Sequence, residues 1–94
     1  GLGIPFNIAS ASLLTYILAK LTGLTPFEFI HTIGDAHIYT NHIEQLKEQI
    51  TRKPYKFPTL TIKDRGQKDI SDFVCEDFIL ENYKSHDKIK MQMK

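Results

Sequence analysis

The sequence predicts an α+β fold in which a long buried helix packs on a mixed β-sheet, and it predicts that this fold is incomplete as a domain on its own. Three observations carry that reading. Residues 8–22 are apolar on nearly every helical face, the pattern of a helix enclosed inside a domain. Residues 27–33, 59–63 and 77–80 carry the β-branched and aromatic content or the alternation of strands. The chain has only 94 residues, so it holds too little other sequence to cover such a helix, and it begins at Gly1 inside an apolar Gly/Pro segment.

Gly1 to Phe6 places two glycines and a proline among apolar residues, which predicts a tight loop approaching something closely. Asn7 suits the N-cap of the first helix, which runs to about Thr22 and is stopped by Gly23. Ile8, Ala11, Leu14, Leu18 and Leu21 form its main stripe, with Leu13 and Ile17 off it. Thr25-Pro26 turns the chain into a strand, Phe27 to Ile33, whose one face carries Phe27, Phe29, His31 and Ile33. His31 there reads as a hydrogen-bonded core histidine, and Gly34 as a bulge that re-aims His37 and Tyr39 relative to the first half of the strand. Thr40 or Asn41 caps a second, surface helix through about Arg52, with a narrow stripe of Ile43, Leu46 and Ile50 and with Glu48 one turn from Arg52. Strands at Thr59–Lys63 and about Asp77–Leu80 flank the polar loop Asp64–Asp69, and the polar tail regains apolar character at Ile89, Met91 and Met93.

A net charge of +1 gives no cationic footprint for nucleic acid. Cys75 is the single cysteine, which excludes an intrachain disulfide and fits a reducing, cytoplasmic compartment. Flanked by Glu76 and Asp77, it reads as structural, because neighbouring carboxylates disfavour a thiolate. No signal-peptide pattern is present, and the apolar run Leu13–Leu24 is broken by polar residues and too short to span a bilayer, so neither secretion nor a membrane partner is expected. His31, His37 and His42 lack a metal-ligand signature, and no metal is expected.

The candidate site is Gly34-Asp35-Ala36-His37-Ile38-Tyr39-Thr40-Asn41-His42. In extended backbone His37 and Tyr39 share a face and Ile38 points the other way. An imidazole and a phenol side by side can grip a small polar ligand such as a sugar hydroxyl, or they can be a satisfied, half-buried structural pair. Residue pattern alone leaves both open.

Gly3-Ile4-Pro5-Phe6-Asn7-Ile8-Ala9-Ser10, then Phe29 through His42, then Asp77-Phe78 and the tail Ile89-Lys90-Met91 together resemble the C-terminal part of the thymidylate synthase fold. The resemblance covers residues 1–94 as one segment of a single domain. Its lysine-methionine tail is similar to the eukaryotic branch, which includes enzymes fused behind a dihydrofolate reductase domain.

The resemblance implies reductive methylation of deoxyuridine monophosphate (dUMP) by 5,10-methylenetetrahydrofolate, giving dTMP and dihydrofolate in a cytoplasmic homodimer. A cysteine thiolate adds to the pyrimidine in that chemistry. By position, Asn7 resembles the residue that reads the pyrimidine edge, its amide matching uracil's carbonyl and N–H. His37 and Tyr39 resemble the pair that hydrogen-bonds the deoxyribose hydroxyl, with Ile38 on the same ligand wall. Leu2, Gly3 and Phe6 resemble part of the folate wall, and Lys94 falls in the family's closing tail, where a small residue is usual. The nucleophilic cysteine, the phosphate-gripping arginines and a pterin-holding aspartate are expected upstream of Gly1, and Cys75 does not match the nucleophile's position. The 94-residue chain alone is therefore expected to be inactive and to need the upstream part of the enzyme. Ala11 stands where the family usually has tyrosine. Two other readings remain: a non-catalytic fragment or interaction module, and a pyrimidine nucleotide hydroxymethylase of the same fold, against which Asn7 speaks because an aspartate suits the cytosine-type edge.

Overall fold

The computed structural model describes residues 1–92. Helix α1 spans Gly3–Thr22 and ends at Gly23, whose φ of 72° is the left-handed cap that favours glycine. The N–H of Leu24 closes that end on the carbonyl of Ala19 at 2.9 Å. The start lies earlier than the sequence predicts. Pro5 falls in the first turn, where its missing N–H has no helical partner to lose, so the Gly/Pro segment becomes helix instead of loop. Asn7 consequently sits one turn inside the helix and caps nothing.

The segment 24–39 holds no regular secondary structure. The strand expected at Phe27–Ile33 is not formed, nor is the bulge at Gly34, which instead lies in a bend with Asp35. A strand is defined by the neighbour that takes its backbone groups, and none of the described residues pairs with this segment. Its side chains show the same lack of partners: Phe27 is 92% exposed and Ile30 75%.

A single 3-10 turn, Thr40–His42, leads into helix α2, Ile43–Thr51. The expected Glu48–Arg52 pair forms at 3.7 Å across one turn. Strands β1 (Thr59–Ile62) and β2 (Phe78–Glu81) pair antiparallel with Leu60 opposite Leu80 and Ile62 opposite Phe78. Lys63 N–H adds a bond to the Asp77 carbonyl at 2.7 Å. Among the described residues the sheet has these two antiparallel strands, so the expected mixed sheet is not built here. Leu60 and Ile62 alternate inward while Thr59 and Thr61 face out.

Between the strands, 3-10 turns at Ile70–Asp72 and Cys75–Asp77 fold the loop, and the first packs against α1. Lys20, in the last turn of α1, reaches Asp64 at 3.9 Å. Cys75 is a free thiol on the surface.

The expected burial of α1 is also not met within this chain, where Ala19 is its one buried residue. Helix α1 is, by length and composition alone, long and apolar enough to cross a membrane, so the estimate taken from the shorter run Leu13–Leu24 does not hold for the helix as formed. The radius of gyration is 16.3 Å. A compact domain of this length would have about 12 Å. The described residues therefore form an open arrangement in which α1 keeps most of its surface uncovered.

Candidate functional site

The first turn of α1 and the segment 31–39 form the two walls of an open cleft of about 860 Å³. Leu2, Gly3, Phe6 and Asn7 come from one wall, and His37 and Tyr39 from the other. Thirty residues separate these groups in sequence, yet the fold places them around one space. Starting the helix at Gly3 is what does this. Leu2, Gly3, Phe6 and Asn7 follow the i, i+3 and i+4 spacing of one helical face, and that face is turned to the cleft.

Asn7 is thereby released from capping and held by a rigid backbone. Phe6 is 73% exposed and offers a bare aromatic ring. Among the described residues, a methyl group built on Gly3 would meet nothing within 4 Å beyond its own helix, so the space over its backbone is open.

On the facing wall the rings of His37 and Tyr39 stand side by side, centroids 6.2 Å apart. Both are on the surface, Tyr39 at 45% exposed, so exposure does not separate a ligand-gripping pair from a half-buried structural one. Ile38 does not line the cleft. It is 61% exposed, and its neighbours His37 and Tyr39 line the cleft instead. Lys94 lies outside the described residues, as does Met93.

His31 differs from expectation. It is exposed, stacks on Phe29 at 5.9 Å and lines the cleft, because the strand that would have buried it does not form. His42, to which the sequence assigns no special role, is 1% exposed and also lines the cleft. Nothing in the sequence told which atoms it meets. No group of three His, Cys, Asp or Glu side chains among the described residues is arranged to hold a metal ion.

Away from the cleft lies a polar node that sequence reading missed. Asp77, 1% exposed, takes a two-pronged bond from Arg65 at 2.6 and 2.7 Å. Its second oxygen also accepts from the Gln67 amide at 3.1 Å and the Val74 N–H at 3.0 Å. The Arg65 bond, reinforced by those donors, holds the Asp77 carboxyl well below the usual carboxylate range despite the opposing pull of desolvation. Arg65 additionally donates to the Asp72 carbonyl at 2.7 Å, so one guanidinium organises the whole inter-strand loop.

The open cleft is walled by an amide, an imidazole, a phenol and an exposed aromatic ring, which sets hydrogen-bonding groups beside apolar surface in one space. The thymidylate synthase family model matches residues 1–94, and the chain belongs to that family. It is 60% identical over 93 residues to a thymidylate synthase of Equine herpesvirus 2, covering 99% of this chain and 32% of that protein. It is 59% identical over the same length to the human thymidylate synthase, 99% of this chain and 29% of the relative. A bifunctional dihydrofolate reductase-thymidylate synthase of Paramecium tetraurelia is likewise 59% identical, with 99% of this chain and 20% of that protein aligned. The chain thus spans about a third or less of the length of these relatives.

Proposed function

We propose that this chain supplies the pyrimidine-, sugar- and folate-facing walls of a thymidylate synthase that converts deoxyuridine monophosphate to dTMP, and that the nucleophilic cysteine lies upstream of Gly1. The observation that supports it is the convergence of Leu2, Gly3, Phe6, Asn7, His37 and Tyr39 on one cleft. Asn7 donates to one pyrimidine carbonyl and accepts from the adjoining ring N–H. His37 and Tyr39 hydrogen-bond the deoxyribose hydroxyl and fix the base relative to Asn7. Leu2 and Phe6 shelter a planar ring over the open backbone at Gly3. Bound there, 5,10-methylenetetrahydrofolate supplies the one-carbon unit and the reducing hydride.

The exposed faces of α1 and of residues 27–33 fit this reading, since they are surfaces for the upstream part of the domain and for a second subunit of a cytoplasmic homodimer. The same faces serve as the anchor if the chain acts instead as a non-catalytic module, and chemistry separates the two. Full-length polypeptide mixed with 5-fluorodeoxyuridine monophosphate and 5,10-methylenetetrahydrofolate should form a covalent ternary adduct, read by intact mass, while the 94-residue chain alone should form none. A full-length protein without the adduct would refute the assignment.

Tyr39→Phe removes one hydroxyl and leaves the ring against its neighbours. The expected result in the full-length enzyme is a rise in the nucleotide dissociation constant of about tenfold, the worth of one hydrogen bond to a polar ligand. Calorimetric titration checks it. An unchanged constant would return Tyr39 to a purely structural role.

A further inference from the structure

We infer that His42 is a positioning residue that anchors the C-terminal segment to the cleft wall, so that the seating of residues 89–92 and of Tyr39 depends on one imidazole. The inference rests on the reading of the cleft as a nucleotide site. His42 Nε2 lies 2.8 Å from the backbone carbonyl of Gln92, fifty residues away. A carbonyl only accepts, so Nε2 carries a proton and donates it to Gln92. Nδ1 is buried and has no hydrogen-bond partner among the described residues, which leaves the Gln92 bond as the ring's one polar attachment there.

The other side of the ring meets Tyr39, centroids 5.3 Å apart at 49°, within the range of tilted aromatic pairs. Tyr39 in turn stands beside His37. Three rings therefore run in series from the tail's backbone to the sugar-facing wall.

Two further bonds fasten the same tail. Arg52 Nη1 donates to the Asp87 carbonyl at 2.6 Å, and His86 Nε2 donates to the Lys53 carbonyl at 2.7 Å. Both join the tail to the end of α2. Among the described residues, the bond from His42 is the hydrogen bond that ties the tail to a cleft-lining side chain. The junction is tight: a methyl group built on Gly1 would come within 3.1 Å of Met91 Sδ, 3.2 Å of Leu46 Cδ2 and 3.5 Å of His42 Nδ1. Tail, α2, first-turn loop and imidazole thus close on one point, and a shift in any of them is felt by the rest.

The test compares three variants of the full-length enzyme: His42→Asn, which places its amide nitrogen short of the Gln92 carbonyl; His42→Gln, whose amide nitrogen reaches it; and a truncation ending at Met91, which removes the acceptor and leaves His42 in place. Hydrogen exchange of backbone amides 87–91 and the dissociation constant for deoxyuridine monophosphate are read for each. His42→Asn and the truncation should each accelerate tail exchange and weaken nucleotide binding about three- to tenfold. Combined, they should do no more than either alone, and His42→Gln should recover most of both. Additive effects, or unchanged tail exchange in His42→Asn, would overturn the inference. Equal damage from His42→Gln and His42→Asn would do the same, since it would mean that ring packing alone matters. If His42→Asn does not fold, the truncation still decides, because nucleotide binding unaffected by it breaks the link. If the unmodified enzyme binds no deoxyuridine monophosphate, the functional reading fails, while tail exchange still shows whether His42 anchors the segment.

Discussion

Replacing Asn7 by aspartate in the full-length enzyme is expected to lower kcat/KM for deoxyuridine monophosphate by on the order of a thousandfold and to strengthen binding of deoxycytidine monophosphate. An amide offers one donor and one acceptor, and uracil presents a carbonyl beside an N–H. A carboxylate keeps only acceptors. Against uracil it faces the carbonyl with negative charge and leaves that oxygen without a donor, a penalty larger than a lost hydrogen bond. Against cytosine the same carboxylate accepts from the exocyclic amine. The structure makes the substitution a clean test, because Asn7 lies inside α1 and caps nothing, so helix formation does not depend on it. Its position is held by the helix backbone, which carries the amide into the cleft already oriented. Steady-state kinetics with the uracil nucleotide and calorimetry with the cytosine nucleotide read the two halves of the prediction. Retained preference for uracil would show that another group reads the base.

What could be read from sequence divides along a physical line. The second helix, the left-handed stop at Gly23 and both strands of the hairpin come from local rules, and each forms within a residue or two of its expected place. Signals of that kind are complete within a few residues. A strand at Phe27–Ile33 and burial of α1 would each need neighbours that the described residues do not supply. The apolar pattern records that such neighbours are needed, and the structure of 92 residues shows the pattern unanswered, with Phe27 and Ile30 in solvent. The site was legible in part for the same reason. His37 stands beside Tyr39 as their i, i+2 spacing predicts, although no strand forms there, and Ile38 between them is off the wall on which the resemblance placed it. That Asn7 would join them required the helix to begin at Gly3, and the Gly/Pro content argued for a loop until Pro5 could be placed in the first turn. His42 and Arg65 could not have been read at all. Their partners are a backbone carbonyl fifty residues away and a carboxylate twelve residues away across a loop, and no periodicity links such pairs.

Asp77→Asn is expected to destabilise the hairpin and its loop without altering ligand binding in the cleft, because neither Arg65, Gln67 nor Asp77 lines it. The variant keeps the shape of the side chain and removes its charge. An acceptor that served Arg65, Gln67 and Val74 together then becomes an amide with one oxygen, and Arg65 loses half of its two-pronged partner. Arg65 is 40% exposed, so water screens part of the attraction. The larger consequence is the loss of order in the loop that joins β1 to β2. The pH dependence has a definite sign. The Asp77 carboxyl is held below its ordinary range in the folded protein, so its contribution is fully present above the unfolded value of about 4 and is lost as pH falls toward the lower folded value. Denaturant midpoints of wild type and Asp77→Asn should therefore differ by a constant amount between about pH 5 and 8 and converge below about pH 4. A gap that persists unchanged into acid would mean that the cost of the variant lies in altered packing rather than in the lost charge. Nucleotide affinity that falls along with stability would mean that the hairpin and the cleft are mechanically joined, against the separation their contacts show.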